Sequence, residues 1–387
     1  MKYNFDEIVV RRGSNSIKWD AAEQEDVLPL WLADMDFTAA PAIREALARR
    51  VEHGVFGYTK VPDAYYDAII QWFSRRHQWE IKRDWMQYTI GVVPAISCII
   101  KAISMPGDKV LVSTPVYNCF FSSIKNNGCE IVESPLRQRD DLRYEIDFED
   151  FEQKCADSKV VAYLLCNPHN PCGRVWTREE LEKIGEICRK HHVWVISDEI
   201  HNEIVMPGYQ YLPFASISKA NQQCSITCVS PSKSFNLAGL QIANIICSDE
   251  AMSRRIDRAI NINEVCDVNP FGVVATIAAY NESEDWIEEL NPYIWKNFET
   301  LKQMISLPIT PLEGTYLAWV DCSSICQKLS MDSAILEETL MEKAKVYLNA
   351  GTMYGAAGEG FMRINLACPN AVLVEALNRL NRFIESL

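Results

Sequence analysis

Between residues 109 and 248 the chain alternates two hydrophobic rhythms. Short apolar runs recur, each ended by turn-forming residues: KVLVSTP (109–115), EIVESPL (130–136), VVAYLLCNP (160–168), VWVISDEI (193–200), CSITCVS (224–230) and ANIICS (243–248). Runs of this kind predict strands buried on both faces. Helical patterns fall between some of them. The clearest spans 177–190, where Leu181, Ile184 and Cys188 share a face and Thr177 and Glu180 are spaced as a capping box. Buried strands alternating with helices predict an α/β fold, a mostly parallel sheet covered on both sides.

Outside this block the pattern changes. An irregular arm (1–40) precedes a helix that starts near Pro41 and stops at Gly54. After residue 280, EDWIEELNPYIWKNFETLKQMI predicts a long helix and TYLAWVD (315–321) a short strand. Helices are predicted near 333–345 and from about 370 onward. The expected division is an arm (1–40) belonging with the small domain, a large domain (41–280) and a smaller α+β C-terminal domain (281–387).

The informative polar residues gather where strands end. Tyr117 follows the first run, Asn167 and Asn170 the third, Asp198 and His201 close the fourth, and Lys233 follows the fifth. In open α/β sheets that rim binds ligands. Lys233 stands among Ser230, Ser232 and Ser234. Its plain reading is a surface lysine. Its chemical reading is an amine that forms a Schiff base, beside hydroxyls that hold a phosphate. A cofactor with both an aldehyde and a phosphate is pyridoxal 5′-phosphate (PLP). Asp198 is then either a helix N-cap or the partner of a protonated pyridine nitrogen. Tyr117 is a core aromatic or a ring stacked on the cofactor. Asn170 is a turn residue or a donor to a phenolate oxygen, and His201 is structural or faces the same site. Gly91 leads into a helix whose free N–H groups suit a phosphate. Arg363, in the apolar strand FMRINLACP, needs an anion: an internal acid or a substrate carboxylate.

Composition narrows the classes. The net charge is −14 with no strongly basic block, which argues against nucleic-acid binding. No apolar run is long enough to span a bilayer, and MKYNFDEIVVRRGSNS lacks the apolar core of a signal peptide. The expectation is a soluble protein of the cytoplasm. The 14 cysteines include no C-x-x-C pair, and several lie in apolar runs, so they read as buried thiols rather than a metal site or disulfides. No G-x-G-x-x-G or Walker-type lysine supports a nucleotide.

Taken in order, NPHNPCGRVW, SDEIH, SPSKSFNLAGLQ and MRINLACP resemble a PLP enzyme of the aspartate aminotransferase fold, fold type I. LPLWLADMDF (28–37) and FGYT (56–59) resemble the MalY/PatB group of C–S lyases. The resemblance covers essentially the whole chain. It implies a large domain with a mostly parallel seven-stranded sheet between helices, plus the smaller α+β domain. It implies that Lys233 forms the imine with PLP, Asp198 pairs with the pyridine nitrogen and Tyr117 stacks on the ring. Asn170 and His201 sit near the phenolate oxygen, and Val92, Val93, Ser230 and Ser232 surround the phosphate. Arg363 binds the substrate carboxylate, with Asp34 and Met35 bordering the substrate. Tyr58 reaches the phosphate of the neighbouring subunit, which implies a homodimer. The sequence departs from the group in Leu32, Glu203 and Asn370. The implied reaction is β-elimination from cystathionine or another cysteine S-conjugate, giving a thiol, pyruvate and ammonia. Alternatives are an aminotransferase and a PLP-bound regulatory protein with little turnover.

Overall fold

All six predicted runs become strands of one sheet. A computed structural model describes residues 2–22, 24–262, 264 and 267–387. In chain order the sheet contains β1 (Met86–Thr89), β2 (Lys109–Val112), β3 (Glu130–Glu133), β4 (Val160–Cys166), β5 (Trp194–Asp198), β6 (Ser225–Val229) and β7 (Ala243–Ile246). The spatial order is β1-β7-β6-β5-β4-β2-β3. Only β7 breaks the parallel sense, pairing antiparallel with both β6 and β1. The α/β expectation of a mostly parallel seven-stranded sheet is met. The six runs supply six strands. The seventh, β1, is four residues of mixed polarity (MQYT) and carries little pattern of its own.

The pleat sorts side chains onto two covered faces. Val110, Val112, Ala162, Leu164 and Ile196 pack against Ile96, Ile99 and Ile256, from helices Val92–Ile103 and Glu250–Ile262. Leu111, Tyr163, Leu165 and Val195 point the other way, onto Phe151, Leu181, Ile184 and Ile187. The last three lie on helix Arg178–Lys190, where both capping-box bonds form between Thr177 and Glu180. Helix Pro41–His53 stops, as expected, at Gly54, which is left-handed (φ 73°).

The C-terminal part holds helix Glu284–Met304, then a three-stranded antiparallel sheet of β8 (Leu317–Asp321), β9 (Asn349–Ala350) and β10 (Phe361–Asn365), ordered β8-β10-β9. The helix expected near 333–345 runs from Ser333 to Thr339 and continues as wider turns over Leu340–Ala344. The last helix is Asn370–Glu385. The arm joins this part: Leu28–Pro29 pairs in parallel with Val346–Tyr347, and Phe5 packs edge-on against Trp286 (5.6 Å). Among the described residues, no helix is long and apolar enough to cross a membrane, and no His/Cys/Asp/Glu group could hold a metal ion.

Candidate active site

The C-terminal ends of β2, β4, β5 and β6 open onto one cleft of about 410 Å³, closed on its far side by the arm and β10. β5 ends at Asp198, whose carboxylate accepts one hydrogen bond, from Ile200 N–H (3.1 Å). No cation forms an ion pair with it among the described residues. Burial therefore lifts its carboxyl from 3.8 to about 7, with Glu199 pushing the same way. His201 follows on the same turn. Its ring meets Tyr316 edge-on (5.7 Å), its Nδ1 has no partner among the described residues, and burial, with Lys233 and Arg363 adding to it, holds the imidazole well below its ordinary value.

After β6, Ser230 caps the single turn Pro231–Ser234, accepting from Ser232 N–H (3.1 Å). That turn aims Lys233 into the cleft, where Nζ donates to Ala33 O (2.5 Å). Burial, aided by Arg363, lowers the amine from 10.5 to about 8. Asp34, Asp198 and Cys119 oppose that shift.

Beyond β4, Asn170 lies in a turn held by His169 N–H to Arg174 O (2.7 Å). Asn170 Oδ1 accepts from Arg363 Nη1 (3.1 Å). Arg363, in β10, also donates from Nη2 to Trp31 O (2.7 Å), and its guanidinium stands 5.0 Å from the centre of the Tyr354 ring. No carboxylate pairs with it among the described residues, and its Nε has no partner. The expectation that this buried cation needs an anion stands, and no internal acid supplies one.

Helix Val92–Ile103 starts at the cleft wall. Its first intrahelical bond is Ala95 N–H to Gly91 O (3.0 Å), which leaves Val92 and Val93 N–H without a backbone acceptor among the described residues at the positive helix end. Ser232 lines the same cleft. Tyr117 is half-buried there, and burial raises its phenol well above 10.

The structure thus brings Tyr117, Asn170, Asp198, His201, Lys233, Arg363, Val92, Val93 and Ser232 around one space. Four expected residues lie elsewhere. Asp34 is not among the cleft-lining residues, its carboxylate being held by Arg11 Nη2 (2.7 Å), and Met35 is buried in the core with its N–H on Asn236 Oδ1 (3.1 Å). Trp31, Leu32 and Ala33 border the cleft in their place. Ser230 sits behind Ser232, donating to Ile242 O (2.6 Å) and hydrogen-bonded to Ser232 Oγ (2.7 Å). Tyr58 is 97% exposed and outside the cleft. Of the departures, Glu203 is buried against Arg76, His77 and Trp72 Nε1, and Asn370 Nδ2 binds Asn297 Oδ1 (2.9 Å). The sequence reading missed Trp31, Cys119, Gln241, Asn349 and Tyr354 as cleft residues. Only the aromatic Trp31, beside the acidic ADMDF run, carried any signal.

The aminotransferase class I and II pattern matches residues 25–380. Cystathionine beta-lyase PatB of Bacillus subtilis is 41% identical over 97% of this chain and 98% of its own. A PLP-bound protein of Clostridium difficile 630, provisionally described as an aminotransferase, superposes with a TM-score of 0.94 at 44% identity, covering 98% of each chain. Cystalysin of Treponema denticola, which contains PLP, superposes with a TM-score of 0.95 at 36% identity over 100% of both chains. This chain belongs to the aminotransferase class I and II family and, within it, to the MalY/PatB group that its motifs resemble.

Proposed function

We propose that this chain is a PLP-dependent carbon–sulfur lyase that carries out β-elimination on cystathionine or another cysteine S-conjugate, releasing a thiol, pyruvate and ammonia. One observation carries the reading: the amine of half-buried Lys233, a buried carboxylate and a buried guanidinium face one cleft, and none has an ion-pair partner among the described residues. PLP with an amino-acid substrate answers all three. The aldehyde suits Lys233, a protonated ring nitrogen suits Asp198, and an α-carboxylate suits Arg363. The phosphate suits Val92 and Val93 N–H with Ser232, the phenolate oxygen suits Asn170 and His201, and the ring face suits Tyr117. The relatives named as cystathionine beta-lyases favour lyase chemistry.

When bound, PLP supplies an electrophilic aldehyde and an electron sink for the substrate's α-carbon. The chain supplies the rest. Lys233 Nζ, lowered to about 8, has a usable neutral fraction near neutral pH. With the substrate's α-carbon held beside it, a neutral Nζ would take the α-proton. Asp198 would hold the cofactor's ring nitrogen, and that positive charge would offset the cost of burying its carboxylate. Arg363 releases Asn170 Oδ1 and Trp31 O to grip the α-carboxylate in a fork. The ammonium of Lys233 then serves the departing sulfur as a proton donor.

The second reading, an aminotransferase, is favoured by the description of the Clostridium difficile neighbour. Pyruvate assays on the holoenzyme with cystathionine, cysteine and a bulky S-conjugate separate the two. Release without any 2-oxo acid is expected, falling by roughly 10³-fold or more in Lys233→Ala. Strict dependence on a 2-oxo acid overturns the lyase reading.

We extend the proposal to a homodimer in the cytoplasm. Its support is the bare Tyr58, with Val51, Val55 and Phe56 exposed beside an open groove between helices Pro41–His53 and Pro270–Glu282. Buried thiols suit a reducing compartment: the described cysteines other than Cys119 and Cys224 are buried. The division into 1–40 with 281–387 and 41–280 is supported by the pairing of Leu28–Pro29 with Val346–Tyr347.

A further inference from the structure

Cys119 is the first residue of helix Cys119–Asn126, and it lines the same cleft as Lys233, Asp198 and Arg363. Tyr117 and Tyr354 line that cleft beside it. The cleft is built for a ligand independently of this thiol: His201 Nδ1 and Arg363 Nε line it without partners, on residues only 3% exposed. Cys119 is half-buried. The other described cysteine that is not buried, Cys224, lies in a separate groove with Arg189 and His192.

On the lyase reading, every turnover sends a sulfur anion into this cleft. When the S-substituent is itself a sulfur, as in a disulfide-linked cysteine, the departing group is a persulfide, RSSH. We propose that Cys119 accepts the terminal sulfur of that persulfide, so that the cleft is a sulfur-transfer site as well as a C–S lyase site. The step balances by itself. The Cys119 thiolate attacks the terminal sulfur, the RS–SH bond breaks, and its electron pair leaves on RS⁻. The proton lost from Cys119 ends on RS⁻ as RSH, and Cys119–S–SH remains. The exchange moves one sulfur between thiols and needs no outside oxidant or reductant.

The test loads the holoenzyme with L-cystine or with S-ethyl-L-cysteine, quenches with an alkylating agent and maps each cysteine by mass. The expected result is pyruvate from both, and a gain of about 32 Da, one sulfur atom, on the Cys119 peptide with cystine alone. The gain is lost in Lys233→Ala, which cannot form the persulfide. In Cys119→Ala, protein-bound sulfane sulfur per pyruvate formed falls roughly tenfold. Pyruvate from both substrates with no gain on Cys119, or with only a mixed disulfide there, overturns the transfer and leaves the lyase reading standing. No pyruvate from either overturns the lyase reading, and the transfer with it.

Discussion

Asp198 ends β5 with Ile200 N–H as its one hydrogen-bond donor among the described residues, and burial moves its carboxyl from 3.8 to about 7. A folded-state value above the unfolded one means that the fold binds this proton more tightly than the unfolded chain does. Its contribution is therefore fully present below about pH 4 and is lost as pH rises through about 7. The displacement corresponds to a ceiling of about 4 kcal/mol. Asp198→Asn keeps the shape without the charge. The cofactor-free variant is expected to melt above the cofactor-free parent at pH 8, by a gap that closes toward pH 4. An equal gap at both pH values contradicts the argument. With PLP the order reverses in activity: the Asn variant falls by roughly 10²-fold or more, since it cannot hold the ring nitrogen's proton. Asp198, Lys233 and Asn170 were legible because each stands where an apolar run stops. Asp34 lies outside the cleft lining for the reason that made it conspicuous. An acidic ADMDF loop suggests a ligand, but its charges answer Arg11 and the buried Lys18, with Asp36 taking Lys18 Nζ (2.8 Å) and Arg11 Nη1 (2.6 Å).

The elements that carry the cleft are joined by a second buried charge centre. Glu313, in the segment before β8, accepts from Arg174 Nε (2.9 Å), Arg143 Nε (2.5 Å) and Val175 N–H (2.9 Å). Glu313 and Gly314 N–H both donate to Gly173 O (2.9 Å each). Gly314 fits only without a side chain, since a Cβ would stand 2.8 Å from Val175 Cγ2 and 3.0 Å from Pro168 Cβ. This clamp fixes the turn that presents Asn170 to Arg363. Glu313→Gln removes the charge that Arg143 and Arg174 share, leaving Arg143 without a carboxylate partner among the described residues and Arg174 with Glu180 alone (2.7 Å). It is expected to cost roughly 1–3 kcal/mol in chemical denaturation and to weaken PLP retention. An unchanged midpoint would mean that these charges are solvated. At this scale the sequence reads unevenly. Helix Arg178–Lys190 announces itself through its cap and apolar stripe, and β4 to β6 through their apolar runs. β1 hides because four residues of mixed polarity are too few to show a period. Asn349 and Tyr354 hide because contact alone brings them to the site: Asn349 Nδ2 reaches Trp31 O (2.9 Å) across 318 positions, and no local pattern encodes that pairing.

One chain supplies most of a site but leaves Tyr58 bare. The Tyr58 ring is 97% exposed on a segment that also exposes Val55 and Phe56, a combination that a solvated loop has no reason to keep. If the homodimer is two-fold symmetric, each Tyr58 serves the partner's phosphate end, and each site draws residues from two chains. Mixing inactive variants tests this directly. A Lys233→Ala protomer carries an intact Tyr58, and a Tyr58→Ala protomer carries an intact Lys233. In a mixed dimer one site collects both defects and the other collects neither. After subunit exchange of equal amounts, half of the dimers are mixed and about a quarter of all sites are whole. Activity is therefore expected to rise from the low level of either variant alone to about a quarter of the parent's. If Tyr58 instead served its own chain, every site would keep exactly one defect and mixing would restore nothing. Sedimentation at the assay concentration fixes the remaining term: a monomer that is fully active removes both the shared site and the role of Tyr58.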